Sequence, residues 1–415
     1  MNLKDELLKT KEWALLLSCM QHASEAQLCD QKSELIRDID WNYLFSFSEY
    51  HSLLPILHWG IKRMGDTEAP PEVLTFLRDN FRASHLRNLL AAHTLSQCEQ
   101  MFKAERIPAI AFKGIVLAYA IYEHPALRQF GDIDILIQQH QLPKARSLLQ
   151  QHDYRPVYPP GMLTDPRVQE LSFNQTRIYD RYYHELTLQS RDDLMQIDLH
   201  WALSPRLYPS APDLAGIWGG IRTASLNGHT VLTLSQEHQL LNICIHAAKD
   251  RWRTLKWVVD IDRLVRSEGD LDWVQLKELA SASRSDRILT FGLHLSQLLL
   301  DTPIPTSRFA SAKGRSSEAD LSAILEVLFR PGTPRPRALG CLGINPIYLR
   351  LCGGWSLRMR YLCRALTLPR PEDEVMFGLA QQQYPLWRLR RPFWLLGRCL
   401  SRIPRPRPDA NPFRE

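Results

Sequence analysis

Ala111–Gln138 reads AFKGIVLAYAIYEHPALRQFGDIDILIQ, and its closing DIDILI decides the fold. The β-branched and apolar residues of Asp132–Ile137 argue for a strand. Alternate strand residues share a face, so Asp132 and Asp134 point the same way. Like charges held that close repel unless a cation or proton lies between them. Oxygen-only ligands suit Mg²⁺, which takes few protein carboxylates and completes its shell with water and phosphate. Working outward, Ile107–Phe112 is short and apolar, and Lys113-Gly114 follows it as a turn. Ile115–Tyr122 then reads as a short helix. Glycine in such a turn lets backbone N–H groups approach a phosphate at a helix N-terminus.

The 415 residues are 45% hydrophobic and 23% charged, a globular profile that excludes a disordered chain. The net charge of +6 is unevenly placed: from Trp355 onward twelve Arg face five acidic residues, +7, leaving about −1 elsewhere. A general nucleic-acid surface does not follow. The eight cysteines form neither CxxC nor zinc-ligand spacing with His, as expected of reduced thiols in a cytoplasmic protein. The N-terminus places acids and lysines ahead of a short apolar run, unlike a signal peptide. No uncharged apolar run approaches the ~18 residues that span a membrane.

Residues 1–105 read as a helical region, with Asp40 capping one helix and Pro55 opening another. Residues 106–232 form the core with the strands, 233–330 a helical region completing a cleft, and 331–415 a basic Pro/Arg/Trp-rich end. Within the core, Lys144–His152 is expected helical, and Arg177–Tyr183 (RIYDRYY) strand-like. Glu185–Gln189 and Leu194–Trp201 read as a hairpin across a polar turn. On its second strand Asp198 and His200 share a face. Gly228–Leu234 is a brief extended link, and Ser235 is an N-cap. His246, Lys249 and Arg253 sit at i, i+3 and i+7, hence on one helical face, which suits a triphosphate or acidic acceptor about as well as solvent. Asp260 and Asp262 repeat the Asp-x-Asp spacing, but on a helix, where residues two apart diverge; this pair is discounted as a metal site. The tail segment Pro385–Arg398 has the composition of a membrane-surface helix, interrupted by Pro392, with helical packing the favoured alternative.

The Gly-containing turn, Asp132-x-Asp134 and an acid on a later strand resemble the nucleotidyltransferase superfamily that shares the DNA polymerase β fold. More narrowly, FKG…ALRQFGDIDILI…QIDLHW…HAAKDRW is similar to a family of uncharacterised bacterial nucleotidyltransferases, over about residues 85–300. One departure is evident: the superfamily's Gly-Ser turn is Lys-Gly here, so an ammonium replaces a hydroxyl beside the phosphates.

The resemblance implies an α+β fold, a small mixed sheet flanked by helical regions. It also implies transfer of a nucleoside monophosphate from an NTP, ATP among the candidates, to a hydroxyl on a protein, an RNA end or a small metabolite or saccharide. Asp132, Asp134 and Asp198 would hold two Mg²⁺ ions, with Asp198 as base toward the acceptor. Lys113, Gly114 and Arg128 would meet the phosphates, with His200 and Lys249 as further nucleotide contacts. The rival readings are a fold retained for binding or assembly without catalysis, and a kinase-like phosphotransferase.

Overall fold

The computed structural model describes residues 10–21, 35–65, 69–158, 171, 173–267, 271–305, 318–329, 344–368 and 384–400. It is a mixed α+β architecture built on one seven-stranded sheet of order β3-β4-β5-β2-β1-β7-β6. In chain order the strands are β1 (Ala109–Phe112), β2 (Asp132–Ile137), β3 (Tyr154–Val157), β4 (Glu185–Ser190), β5 (Gln196–His200), β6 (Arg222–Leu226) and β7 (His229–Thr233).

The central pairing sets the site. Strand β2 runs antiparallel to β1 and parallel to β5, with Asp134 opposite Asp198 and Leu136 opposite His200. Alternation then sorts the side chains. Ile133, Ile135, Ile137, Ile197 and Leu199 enter one core, which is closed by Ala91, Leu95, Cys98 and Phe102 and by Leu142, Ala145 and Leu149. These come from α4 (Pro71–Ala104) and α6 (Leu142–Gln151). The opposite face carries Asp132, Asp134, Asp198 and His200 over a small apolar patch of Ile110, Phe112, Leu136 and Leu203. One face is hydrocarbon throughout, so the register cannot slip by one residue without burying carboxylates there.

Among the described residues, four helices precede β1: α1 (Lys11–Met20), α2 (Trp41–Tyr50), α3 (Leu54–Arg63) and α4. Between strands lie α5 (Gly114–Ala120), α6, α7 (Phe173–Tyr182) and α8 (Leu214–Gly219). After β7 come α9 (Gln236–Lys249), α10 (Lys256–Arg266), α11 (Trp273–Ala282), α12 (Asp286–Leu300), α13 (Glu318–Phe329), α14 (Pro346–Leu351), α15 (Gly354–Thr367) and α16 (Tyr384–Leu400). The early and late helices share one hydrophobic core, in which Trp13 and Leu57 join Leu240, Trp252, Leu295 and Leu328. Asp40 accepts from Tyr43 N–H and Ser235 from His238 N–H, the caps expected at those helix starts. No helix among the described residues is long and apolar enough to cross a membrane.

Three local expectations are corrected. Arg177–Tyr182 lies in helix α7, not a strand, and Tyr183 follows it directly; Tyr179 and Tyr183 stack one turn apart with ring centroids 4.3 Å apart, and Tyr179 is buried. Four-residue spacing of the aromatics outweighed their strand propensity. Gly228–Leu234 is not a lone extended link but the second half of a hairpin. Asn227 (φ 49°) and Gly228 (φ 83°) make the left-handed turn that joins β6 to β7. Helix α9 stops at Lys249, because Arg251 and Trp252 take left-handed backbone (φ 63° and 54°). Arg253 therefore leaves the face it was expected to share with His246 and pairs with Asp250 at 2.6 Å.

Candidate active site

Hydrogen-bonded strand pairing brings the three sequence-singled aspartates to one patch, where Asp134 is 4% exposed and Asp198 is 9% exposed. Thr187 of β4, opposite Asp198, donates its hydroxyl to Asp198 Oδ1 at 2.8 Å, and the Gln196 amide donates at 3.2 Å. Asp134 Oδ1 takes Lys113 Nζ at 2.9 Å and lies 2.9 Å from His200 Nε2. Among the described residues no basic side chain reaches Asp132 or Asp198 by ion pair.

The electrostatics follow from that asymmetry. Burial, then the charges of Asp134 and Asp198, push the Asp132 carboxyl up to about 7, with a hydrogen bond to Asp198 adding to the rise. Burial would raise Asp134 too, but the Lys113 ammonium and His200 hold it well below the usual carboxylate range. Burial works against a charged Lys113, yet Asp134 and Glu185 raise its pKa above the ordinary value. A site short of positive charge at Asp132 and Asp198, with oxygen donors converging, has the chemistry of a divalent-cation site. Asp134, Asp198 and His200 each offer a ligand atom, all within 4.8 Å of one another.

Lys113 sits in the turn between β1 and α5 with φ 53° and ψ −131°, backbone that suits glycine and costs a side-chain-bearing residue about 1–3 kcal/mol. The chain tolerates that strain while aiming the ammonium at Asp134. Gly114 beside it is closely packed: a Cβ there would stand 3.1 Å from the Asp132 carbonyl oxygen, so β2 would have to give by a few tenths of an ångström. The turn is therefore packed directly onto the start of β2.

Arg128 does not face the acids. Its guanidinium, 2% exposed, makes two 2.9 Å bonds to Asp260 and donates to the Gly114 carbonyl at 3.0 Å. The expectation that it meets phosphate is replaced by a structural position behind the turn. Tyr122 also donates to Asp260, at 2.7 Å, and Asp262 pairs with Arg266 at 2.8 Å. The Asp260/Asp262 pair thus divides between two arginines, in keeping with its dismissal as a metal pair. Lys249, at the end of α9, donates to the Leu203 carbonyl at 3.2 Å, and burial followed by repulsion from Lys113 lowers it to about 7. It lines an open cavity of about 210 Å³ with Asp250, Arg251 and Arg253.

Sequence reasoning missed His184 and Glu185. Glu185 lies opposite His200 across β4 and β5, with Oε2 3.3 Å from His200 Nδ1 and 3.1 Å from His184 Nε2. The signal was present: the hairpin turn at Ser190–Asp193 fixes a register that sets His184-Glu185 against the end of QIDLH.

A mixed sheet with an Asp-x-Asp strand, a neighbouring parallel strand bearing a third acid and a turn opening a helix beside them defines a protein of the nucleotidyltransferase class. A family model described as "Uncharacterised nucleotidyltransferase" matches residues 37–301, more than half of the 415, and the chain belongs to that family. No curated protein and no solved structure matches it.

Proposed function

We propose that the chain transfers a nucleoside monophosphate from an NTP to a hydroxyl acceptor, using Mg²⁺ held by Asp132, Asp134 and Asp198. The observation that carries this reading is the in-register pairing of Asp134 with Asp198, with Asp132 two residues before Asp134 on the same strand face and the protein supplying a cation to Asp134 only. Bound there, Mg²⁺ would neutralise phosphate charge and lower the acceptor hydroxyl's pKa.

The rest is done by side chains. Lys113, charged and fixed by Asp134, meets the triphosphate as a point charge at the mouth of the turn. Gly114 lets the start of α5 approach phosphate oxygens. The acceptor oxygen attacks the α-phosphorus and the pyrophosphate oxygen leaves with the bonding pair. The acceptor's proton passes to Asp198, which Thr187 and Gln196 orient. His200 holds Asp134 in place, Lys249 extends the positive wall toward the open cavity, and Arg128 supports the turn from behind.

Incubation with Mg²⁺, cell extract and NTP labelled at the α- or γ-phosphate tests this. Label from the α-phosphate on an acceptor is expected. Label from the γ-phosphate alone would make the chain a phosphotransferase. No transfer, with nucleotide affinity unchanged by Asp132→Ala, would leave a non-catalytic binding protein.

A further inference from the structure

Beyond the acid face, the inner end of β4 and β5 holds a second donor cluster of different chemistry. His184, Glu185 and His200 each present one ligand atom, all within 4.8 Å of one another. With metal–ligand bonds of about 2.0–2.2 Å, neighbouring corners of a tetrahedron stand roughly 3.3–3.6 Å apart. The Glu185 Oε2 distances of 3.1 Å to His184 Nε2 and 3.3 Å to His200 Nδ1 come close to those edges. His200 Nδ1 is buried and makes no hydrogen bond of acceptable geometry, despite its nearness to Glu185. Glu185 keeps a third of its side-chain surface, so the cluster opens to solvent on that side.

We propose that His184, Glu185 and His200 form a second cation site that takes Zn²⁺ or a similar first-row transition ion, with an open fourth position. Two imidazoles and one carboxylate suit such ions, whereas Mg²⁺ prefers oxygen alone. The two sites share His200 without sharing an atom. A metal on Nδ1 requires the ring proton on Nε2, which is the nitrogen 2.9 Å from Asp134 Oδ1. The transition ion thereby fixes the tautomer that donates to Asp134, and acts on the acid face as an outer support. The assignment stands whether or not the chain transfers nucleotides.

Titration of the metal-stripped full chain with Co²⁺, followed by visible absorption, tests it. One Co²⁺ per chain with a tetrahedral spectrum is expected, displaced by Zn²⁺ and not by Mg²⁺. Glu185→Gln and His184→Ala should each weaken binding at least about tenfold, and Asp132→Asn should keep the spectrum. Glu185 is part-exposed, so its variant carries the test if the His184 substitution does not fold. Undiminished Co²⁺ affinity in Glu185→Gln, displacement by Mg²⁺, or loss of the spectrum in Asp132→Asn would overturn the proposal. Failure of α-label transfer would leave it untouched.

Discussion

Two of the Asp-x-Asp pairs in this chain, one on a strand and one on a helix, are treated oppositely. Asp260 and Asp262, on α10, are fully buried, and each is met by an arginine. Asp132 and Asp134, on β2, receive one lysine between them, and Asp132 is left with carboxylate neighbours. A strand puts both acids on one face, whereas a helix turns them apart toward separate partners. Acids that the protein neutralises itself hold the fold together; the acids that it leaves short of charge are those we propose to meet an arriving cation.

The largest break of that contrast is Asp260→Ala. It strands Arg128 in the interior without its bidentate partner, and loss of about 3–5 kcal/mol is expected in urea denaturation. Asp132→Ala, in metal-free buffer, should cost less than about 1 kcal/mol, because no ion pair is removed and a repulsion is relieved. Equal losses would erase the distinction between the pairs.

The helical half also satisfies His51 internally, and pH reads this out. His51 is fully buried, its Nδ1 accepting from Leu255 N–H at 3.1 Å and its Nε2 donating to the Leu328 carbonyl at 3.0 Å. The Nδ1 acceptor bond needs the neutral ring, and burial lowers its pKa from 6.5 to about 3. The unfolded chain binds a proton there that the folded chain does not. Its stabilisation is thus present above pH 6.5 and lost as pH falls toward 3, with a slope of at most about 1.4 kcal/mol per pH unit. Stability curves of wild type and His51→Gln over that window should converge at the acid end; parallel curves would remove His51 from the account.

The smallest effect sharpens the site. Lys113→Gly and Lys113→Ala both delete the ammonium, but glycine alone relaxes the φ 53° backbone. The glycine variant should be the more stable by about 1 kcal/mol in urea denaturation. If alanine is as stable, the turn carries no strain.

Much of this was legible in the sequence, for physical reasons that differ by residue. Asp132, Asp134 and Asp198 sit in apolar runs of strand length, where a charge is costly enough to stand out. Ser235 and Asp40 announced helix starts by local capping chemistry. Arg128 could not be placed, because its partner Asp260 lies 132 residues away and only the packing of α10 against the sheet unit joins them. Helix α7 misled because Tyr and Arg fit a strand locally and their four-residue stacking needs the tertiary core. The left-handed Arg251 and Trp252, which end α9, carry no glycine or proline to mark them.

We propose that a divalent ion bringing a nucleotide completes the acid face on β2 and β5. Calorimetric titration of the metal-stripped chain with each common NTP, with Mg²⁺ and then with EDTA, tests it most directly. We expect binding of at least one NTP in Mg²⁺, abolished by EDTA and by Asp134→Asn in a variant that still folds. Affinity that is the same in EDTA, or unchanged by Asp134→Asn, would contradict it.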